Sequence, residues 1–243
     1  IWGFPGTTDR FMTSYEVNNM LSVDNAAYTE AFDIILPVIR EEMNSRDIVR
    51  INYASDYASM ANAWKNKKGE TASLKKLKIA EKKATEEATL LQWIEEDAQR
   101  VEKYGNPFQQ IEKICAENDK EAMKCFYYLN IILQNSKTLF VPYFLNGLKP
   151  VEKEKSFSAE KKSGLLNIYQ EEMNGTDLIT EGKIIKASLE LMRTLPAELQ
   201  PNILEHIQKK YKGNIDLFVK DAMVKSIVAT EENLIKFLDK PSA

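Results

Sequence analysis

The run from Thr71 to Tyr104 constrains the fold more than any other part of the chain. Apolar residues return there every three or four positions, at Leu74, Leu77, Ala84, Ala88, Leu91, Ile94, Ala98 and Val101, with one step of seven. That spacing is the period of an α-helix with one apolar stripe, and a strand cannot satisfy it. At 1.5 Å per residue it predicts a rod roughly 50 Å long, closed by Gly105-Asn106-Pro107. A second long segment, Asp119–Asn146, follows a shorter helix over Phe108–Glu117. Two such rods are expected to pack antiparallel. The fold class is therefore all-α, a multi-helix domain with a long antiparallel helical hairpin.

The remaining sequence agrees with that class. With 9 Gly and 8 Pro in 243 residues, turn residues are too scarce for a strand-rich fold. The opening Ile1–Arg10 contains Phe4-Pro5-Gly6, which is turn chemistry, so residues 1–23 are expected to form a non-helical lead-in and 24–243 the helical domain. Asp24 is a candidate N-cap for a helix to about Asn44, kinked or restarted at Pro37. Asp47 can start a second helix through Asn66 that stops at Gly69. Lys149–Ser156, with Pro150, reads as a charged connector. Shorter helices are predicted over Ala159–Met173, Asp177–Arg193, Ala197–Lys212, Ile215–Ala229 and Glu231–Leu238, the last opened by Thr230 with acids behind it. No fixed-period repeat is present, which disfavours a solenoid.

Charge and composition remove several function classes. The net charge is −3 with both signs interleaved, which argues against a nucleic-acid or polybasic membrane surface. No apolar run reaches the roughly 20 residues that span a bilayer. The chain starts at Ile1, without an initiator Met or a signal peptide, so it is expected to be an excised or processed piece.

No catalytic residue is read in this chain. His206 is the single histidine, set among Glu205, Gln208 and Lys209, and it reads as a surface or half-buried helix residue. There is no Gly-x-Ser-x-Gly elbow and no His-Glu-x-x-His pair. Two cysteines and one histidine do not make a zinc site, so no metal and no cofactor is expected. Cys115 and Cys125 read as core thiols, with a local disulfide as the alternative. Lys75, Lys76, Lys78, Lys82 and Lys83, with Glu81, Glu86 and Glu87 close by, read as a solvated face.

The second helix is the informative one. Tyr53, Tyr57, Met60 and Trp64 form one stripe at helical spacing. Ser55, Ser59, Asn62 and Asn66 repeat the same offsets two residues later, on the opposite face. Ala54, Ala58 and Ala61 add a small-residue seam. Exposed faces of this chain are otherwise charged. A stripe of uncharged donors and acceptors suits a partner that needs oriented hydrogen bonds: another helix, a neighbouring domain or a peptide.

Several segments carry a family resemblance. Gly3-Phe4-Pro5-Gly6-Thr7-Thr8-Asp9-Arg10-Phe11, Val38-Ile39-Arg40-Glu41-Glu42-Met43, the stretch from Tyr53-Ala54-Ser55 through Ala61-Asn62-Ala63-Trp64-Lys65-Asn66, Tyr211-Lys212-Gly213-Asn214, Lys225-Ser226-Ile227 and Phe237-Leu238 together resemble the bacterial dipeptidyl-peptidase seven and eleven family. The resemblance implies a parent with two chymotrypsin-like β-barrels that carry the Ser, His and Asp of the triad, and this chain as the helical domain inserted between them. It implies removal of dipeptides from free N-termini of oligopeptides, with the helical domain covering the cleft. An asparagine of that domain helps hold the substrate's α-amino group in related enzymes. By position in the motif the role falls on Asn62, with Asn66 one turn away as second choice. The resemblance also implies a periplasmic or cell-surface location in a Gram-negative, Bacteroides-like bacterium, an inactive isolated fragment, and room for a homodimeric parent. The competing reading is a stand-alone helical scaffold that binds partner proteins.

Overall fold

The first helix starts at a capping box. Thr13 Oγ1 accepts from the Glu16 N–H at 3.3 Å, and Glu16 Oε2 accepts from the Thr13 N–H at 2.7 Å. The structure, a computed structural model, describes residues 11–146 and 157–239. Helix α1 (Ser14–Asn19) runs through one π-helical turn, Met20–Asp24, into α2 (Asn25–Ser45). Then come α3 (Asp47–Lys76), α4 (Ile79–Glu95), α5 (Ala98–Tyr104), α6 (Gln109–Glu117), α7 (Lys120–Asn135) and α8 (Lys137–Asn146). The second half holds α9 (Ala159–Met173), α10 (Leu178–Arg193), α11 (Asn202–Tyr211), α12 (Ile215–Lys225) and α13 (Glu231–Asp239), with a 3₁₀ turn at Ala197–Leu199. No strand occurs among the described residues.

The antiparallel hairpin is α2 against α3, turned by Arg46 alone, which is extended at φ −141° and ψ 115°. Cross-contacts run in opposite directions along the two helices: Arg40 lies over Tyr57, Asp33 bonds Trp64, and Lys67 lies over Tyr28. Helix α2 buries Phe32, Ile35, Leu36 and Ile39, and α3 buries Val49, Tyr53 and Met60. Each fully buried side chain of this size contributes about 1.5–3 kcal/mol. Helices α7 and α10 pack on α2, and α12 packs on α10, so Ile131, Ile132, Ile184, Leu189, Met192 and Val219 join the same core. A smaller cluster unites α9 and α13 with Val141 and Val228.

The pairing of rods differs from the sequence expectation. The segment Thr71–Tyr104 is three pieces, not one. The first break falls at Lys78, which is left-handed at φ 50° and ψ 49°, in the seven-residue step of the stripe between Leu77 and Ala84. The second falls at Asp97, whose carboxylate accepts from the Gln99 and Arg100 N–H groups and starts α5 anew. Helix α4 packs on α1, and of the stripe only Ile94 is buried. Glu87 is not part of a solvated face, since it accepts from Ser14 N–H and Oγ at 2.6 Å each. The segment Asp119–Asn146 is broken at Ser136, again by extended backbone.

Other boundaries moved for local reasons. Residues 14–23 are helical rather than a lead-in, because the Thr13 box starts a helix there. Asp24 makes no cap bond, since α2 continues from the π turn before it. Pro37 lies inside an unbroken α2, and Gly69 lies inside α3. The 197–212 helix is split by Pro201. Ile1–Arg10 and the Lys149–Ser156 connector, including its Phe-Pro-Gly turn and Pro150 respectively, lie outside the described residues.

One polar network ties these helices together. The Glu181 carboxylate, only 1% exposed, accepts from Tyr53 OH at 3.0 Å, Ser136 Oγ at 2.8 Å and Thr138 Oγ1 at 3.1 Å. Tyr53 oxygen in turn accepts from the Asp177 N–H at 3.1 Å. The Asp177 carboxylate caps α10 through the Thr180 N–H and grips Arg46 with both oxygens, at 2.7 and 2.9 Å. Arg46 and Lys183 both pair with the buried Glu42. The Lys183 and Arg46 bonds outweigh burial and hold the Glu42 carboxyl below the usual carboxylate range. At Asp177 burial pushes up, but the Arg46 and Thr180 bonds prevail and its carboxyl is lowered too.

Two outcomes follow for stability. Tyr53→Phe removes a donor from a buried carboxylate and an acceptor from a buried N–H, so urea unfolding should show a loss of about 1–3 kcal/mol. Because the folded-state pKa values of Glu42 and Asp177 are depressed, their stabilisation is present above the ordinary carboxylate range of about 4 and is lost as pH falls through the folded values. Urea midpoints should therefore drop below about pH 5. Glu42→Gln should lower the midpoint at pH 7 and flatten that acid limb; an unchanged acid limb would contradict the assignment.

Candidate functional site on the open face of α3

The rotation of α3 about its axis is fixed by what its inner stripe touches. Tyr53 is held by the network above. Tyr57 lies under Arg40, 5.5 Å from ring centre to guanidinium. Trp64 Nε1 donates to Asp33 Oδ1 at 2.7 Å, and Lys68 covers the same ring at 4.4 Å. Met60 is buried. Between the two helices a shallow cavity of about 210 Å³ is lined by Asp33, Arg40, Tyr57 and Trp64.

With the inner stripe so anchored, Ser55, Ser59, Asn62 and Asn66 point away from α2, and all four are exposed. The structure extends this face in both directions. Ile48 and Ile51, 61% and 66% exposed, share the phase, as do Gly69 and Ser73. Ala54 and Ala58 are exposed as well, and only Ala61, beside the cavity, is buried. The small-residue seam thus faces outward rather than toward a helix of this chain. The result is a strip of small or uncharged side chains along α3, with apolar Ile48 and Ile51 at its start and carboxamides in its second half.

Among the described residues no hydrogen bond involves the Asn62 or Asn66 carboxamide. Each offers one carbonyl acceptor and two N–H donors, mounted mid-helix where the backbone does not have to be ordered for binding. The polar groups along the strip are hydroxyls and carboxamides, at Ser55, Ser59, Asn62 and Asn66. His206 is exposed and sits 6.0 Å from the Tyr211 ring. Among the described residues no group of three or more His, Cys, Asp or Glu could hold a metal ion, and no helix is long and apolar enough to cross a membrane. Cys115 and Cys125 are unbridged and half-buried; burial pushes both thiols up, and Cys125 Sγ donates to the Leu199 carbonyl at 3.5 Å.

The peptidase S46 family model matches residues 1–243. The chain belongs to the peptidase S46 family. Its relatives include dipeptidyl-peptidase 7 of Phocaeicola vulgatus, 32% identical over 100% of this chain and 34% of that protein. The enzyme of the same name from Porphyromonas gingivalis is 27% identical over 98% and 33%. The Asp/Glu-specific dipeptidyl-peptidase of Capnocytophaga gingivalis is 27% identical over 86% and 30%. Among solved structures, DPP11 of Porphyromonas endodontalis in complex with the dipeptide Arg-Glu superposes with a TM-score of 0.71, at 23% identity, over 99% of this chain and 34% of that one. That likeness establishes a shared fold. The S46 chain described here spans about a third of the length of these relatives.

Sequence reasoning found the middle of the strip in this S46 member and missed its ends. The signal was available, because Ile48, Ile51, Gly69 and Ser73 follow the same helical phase as Ser55, Asn62 and Asn66. The expected stop at Gly69 hid its far end, while Ile48 and Ile51 lay inside the expected helix. The geometry separates the two stripes energetically. Asn62→Ala and Asn66→Ala should each change the unfolding free energy by less than about 0.5 kcal/mol. Trp64→Ala, which loses ring packing and the Asp33 bond, should lower the melting point clearly while staying under the roughly 3–5 kcal/mol of a fully buried tryptophan. Melting curves of the three variants side by side decide it.

Proposed function

We propose that this chain is the helical domain of a secreted serine-type dipeptidyl-peptidase, covering the substrate cleft and helping to bind the α-amino group of oligopeptides with a free N-terminus. The observation that carries the reading is the open face of α3, where Asn62 stands unbonded on a helix whose other side is fully committed. Family membership supports it, and so does the bound dipeptide in a structure of the same fold. An α-ammonium leaving water needs acceptors for three donors. The Asn62 carbonyl is one, oriented at little entropic cost, and a carboxylate from elsewhere in the enzyme supplies the opposing charge. Ile48, Ile51 and the alanines, which a soluble surface does not need, suit packing against the remainder of the enzyme. The nucleophile and its base belong to that remainder, so these residues alone should release no dipeptides. The reading includes a periplasmic or cell-surface location.

The test is kinetics on the intact enzyme. A hydrogen bond to a charged group contributes about 1.5–3 kcal/mol, so Asn62→Ala should lower kcat/KM on free-amine dipeptide substrates by roughly ten- to a hundredfold, with folding retained. Wild-type kcat/KM in that variant would refute the role, and the same assay on Asn66→Ala tells whether the neighbouring turn holds it instead.

A further inference from the structure

A cavity of about 360 Å³ lies between α7, α10 and α12, far along the chain from the residues of the α3 face. Leu129 and Ile132 of α7, Leu189 and Met192 of α10, and Phe218 and Met223 of α12 make its walls, and no charged residue lines it. It sits at the seam of the two apolar clusters, since Ile132, Leu189 and Met192 belong to the larger and Val228, also on the wall, to the smaller.

Three hydroxyls border the space. Thr138 Oγ1 is committed to Glu181, and Ser226 Oγ accepts from the Val228 N–H at 3.3 Å. Ser188, 4% exposed, has an Oγ with no hydrogen-bond partner. An unpaired buried hydroxyl costs free energy that a partner would recover. Water recovers little here, because a buried water makes two to four hydrogen bonds and, of the lining side chains, only the Ser188 hydroxyl and the Ser226 O–H are uncommitted. A zwitterion such as a dipeptide is poorer still, since its charges would be buried unpaired.

We infer that this cavity is a binding site for a neutral, mostly apolar small molecule carrying one hydrogen-bonding oxygen, which Ser188 Oγ meets. Scale sets its size. A cavity of about 150 Å³ with similar walls takes up benzene, and this one is more than twice as large, so a two-ring aromatic or an aliphatic body of equal bulk fits. The site is distinct from the α3 face and does not depend on the function proposed for it. Because such a ligand bridges the two clusters in the folded state only, it stabilises the fold by mass action.

The probes are 2-naphthol and naphthalene, matched in bulk and differing by one hydroxyl, titrated into the intact protein by calorimetry and followed by melting curves. The expected result is saturable binding of 2-naphthol at one site, with a melting point that rises with its concentration, and roughly two- to tenfold tighter than naphthalene. Ser188→Ala should bring the two probes to parity. Ala222→Phe, which fills the cavity from α12, should abolish both; if that variant does not fold, the probe ratio in Ser188→Ala still decides. Absence of saturable 2-naphthol binding to the wild type, an unchanged probe ratio in Ser188→Ala, or unchanged binding in a folded Ala222→Phe protein would each overturn the assignment.

Discussion

A carboxylate removed from water must be surrounded by donors, and at Glu181, the more deeply buried of the two core carboxylates, they come from α3, from the α7–α8 break and from the start of α8. Tyr53 reaches it from α3, Ser136 from the break between α7 and α8, and Thr138 from the start of α8. Losing any one donor leaves charge under-solvated in an apolar interior, which costs more than the bond itself contributes. The break at Ser136 belongs to this arrangement. A continuous helix would satisfy the local backbone equally well, but it would not bring both hydroxyls to one carboxylate oxygen. The same network passes through Tyr53 and the Asp177 N–H to Arg46, so the one-residue turn of the α2–α3 hairpin is clamped to the start of α10.

That clamp explains why α3 can hold one face outward in a fixed direction. A helix with half its circumference exposed keeps a defined rotation only if the other half is specified by more than apolar area. Here the specification is polar and aromatic: Tyr53 to Glu181, Tyr57 under Arg40, Trp64 to Asp33. Each fixes an angle about the helix axis, and together they set the direction of Asn62 and Asn66. The apolar part of the inner stripe, Val49 and Met60, supplies burial but would tolerate a turn of several degrees.

Most of the all-α architecture was legible in the sequence because helical period is a local property. Helices α9, α10 and α13 start and stop close to where caps and turn residues place them, as at Ser158, Asp177 and Thr230, whereas α11 begins only after Pro201 and α12 stops at Lys225, short of the expected Ala229. What was not legible was which helix lies against which. The stripe from Leu74 to Val101 carries the right period for a single buried rod, yet Lys78 and Asp97 divide it, and only Ile94 is buried. Periodicity reports a face, not the partner of that face. The break at Ser136 was hidden for a related reason, as its cause, Glu181, lies 45 residues away. The two stripes of α3 were legible as well. The contrast between an aromatic stripe and a Ser/Asn stripe is written in the sequence at fixed offsets, and the structure puts the two where helical geometry requires.

The central claim is that the outer face of α3 meets the amino end of a bound peptide. The measurement that tests it most directly is a structure of the intact protein with a dipeptide in its cleft. The account predicts the Asn62 carboxamide oxygen about 2.7–3.2 Å from the dipeptide α-nitrogen, with Trp64 still bonded to Asp33 beneath it. A dipeptide whose amino group is held entirely by other elements, with the Asn62 side chain in solvent, would contradict it.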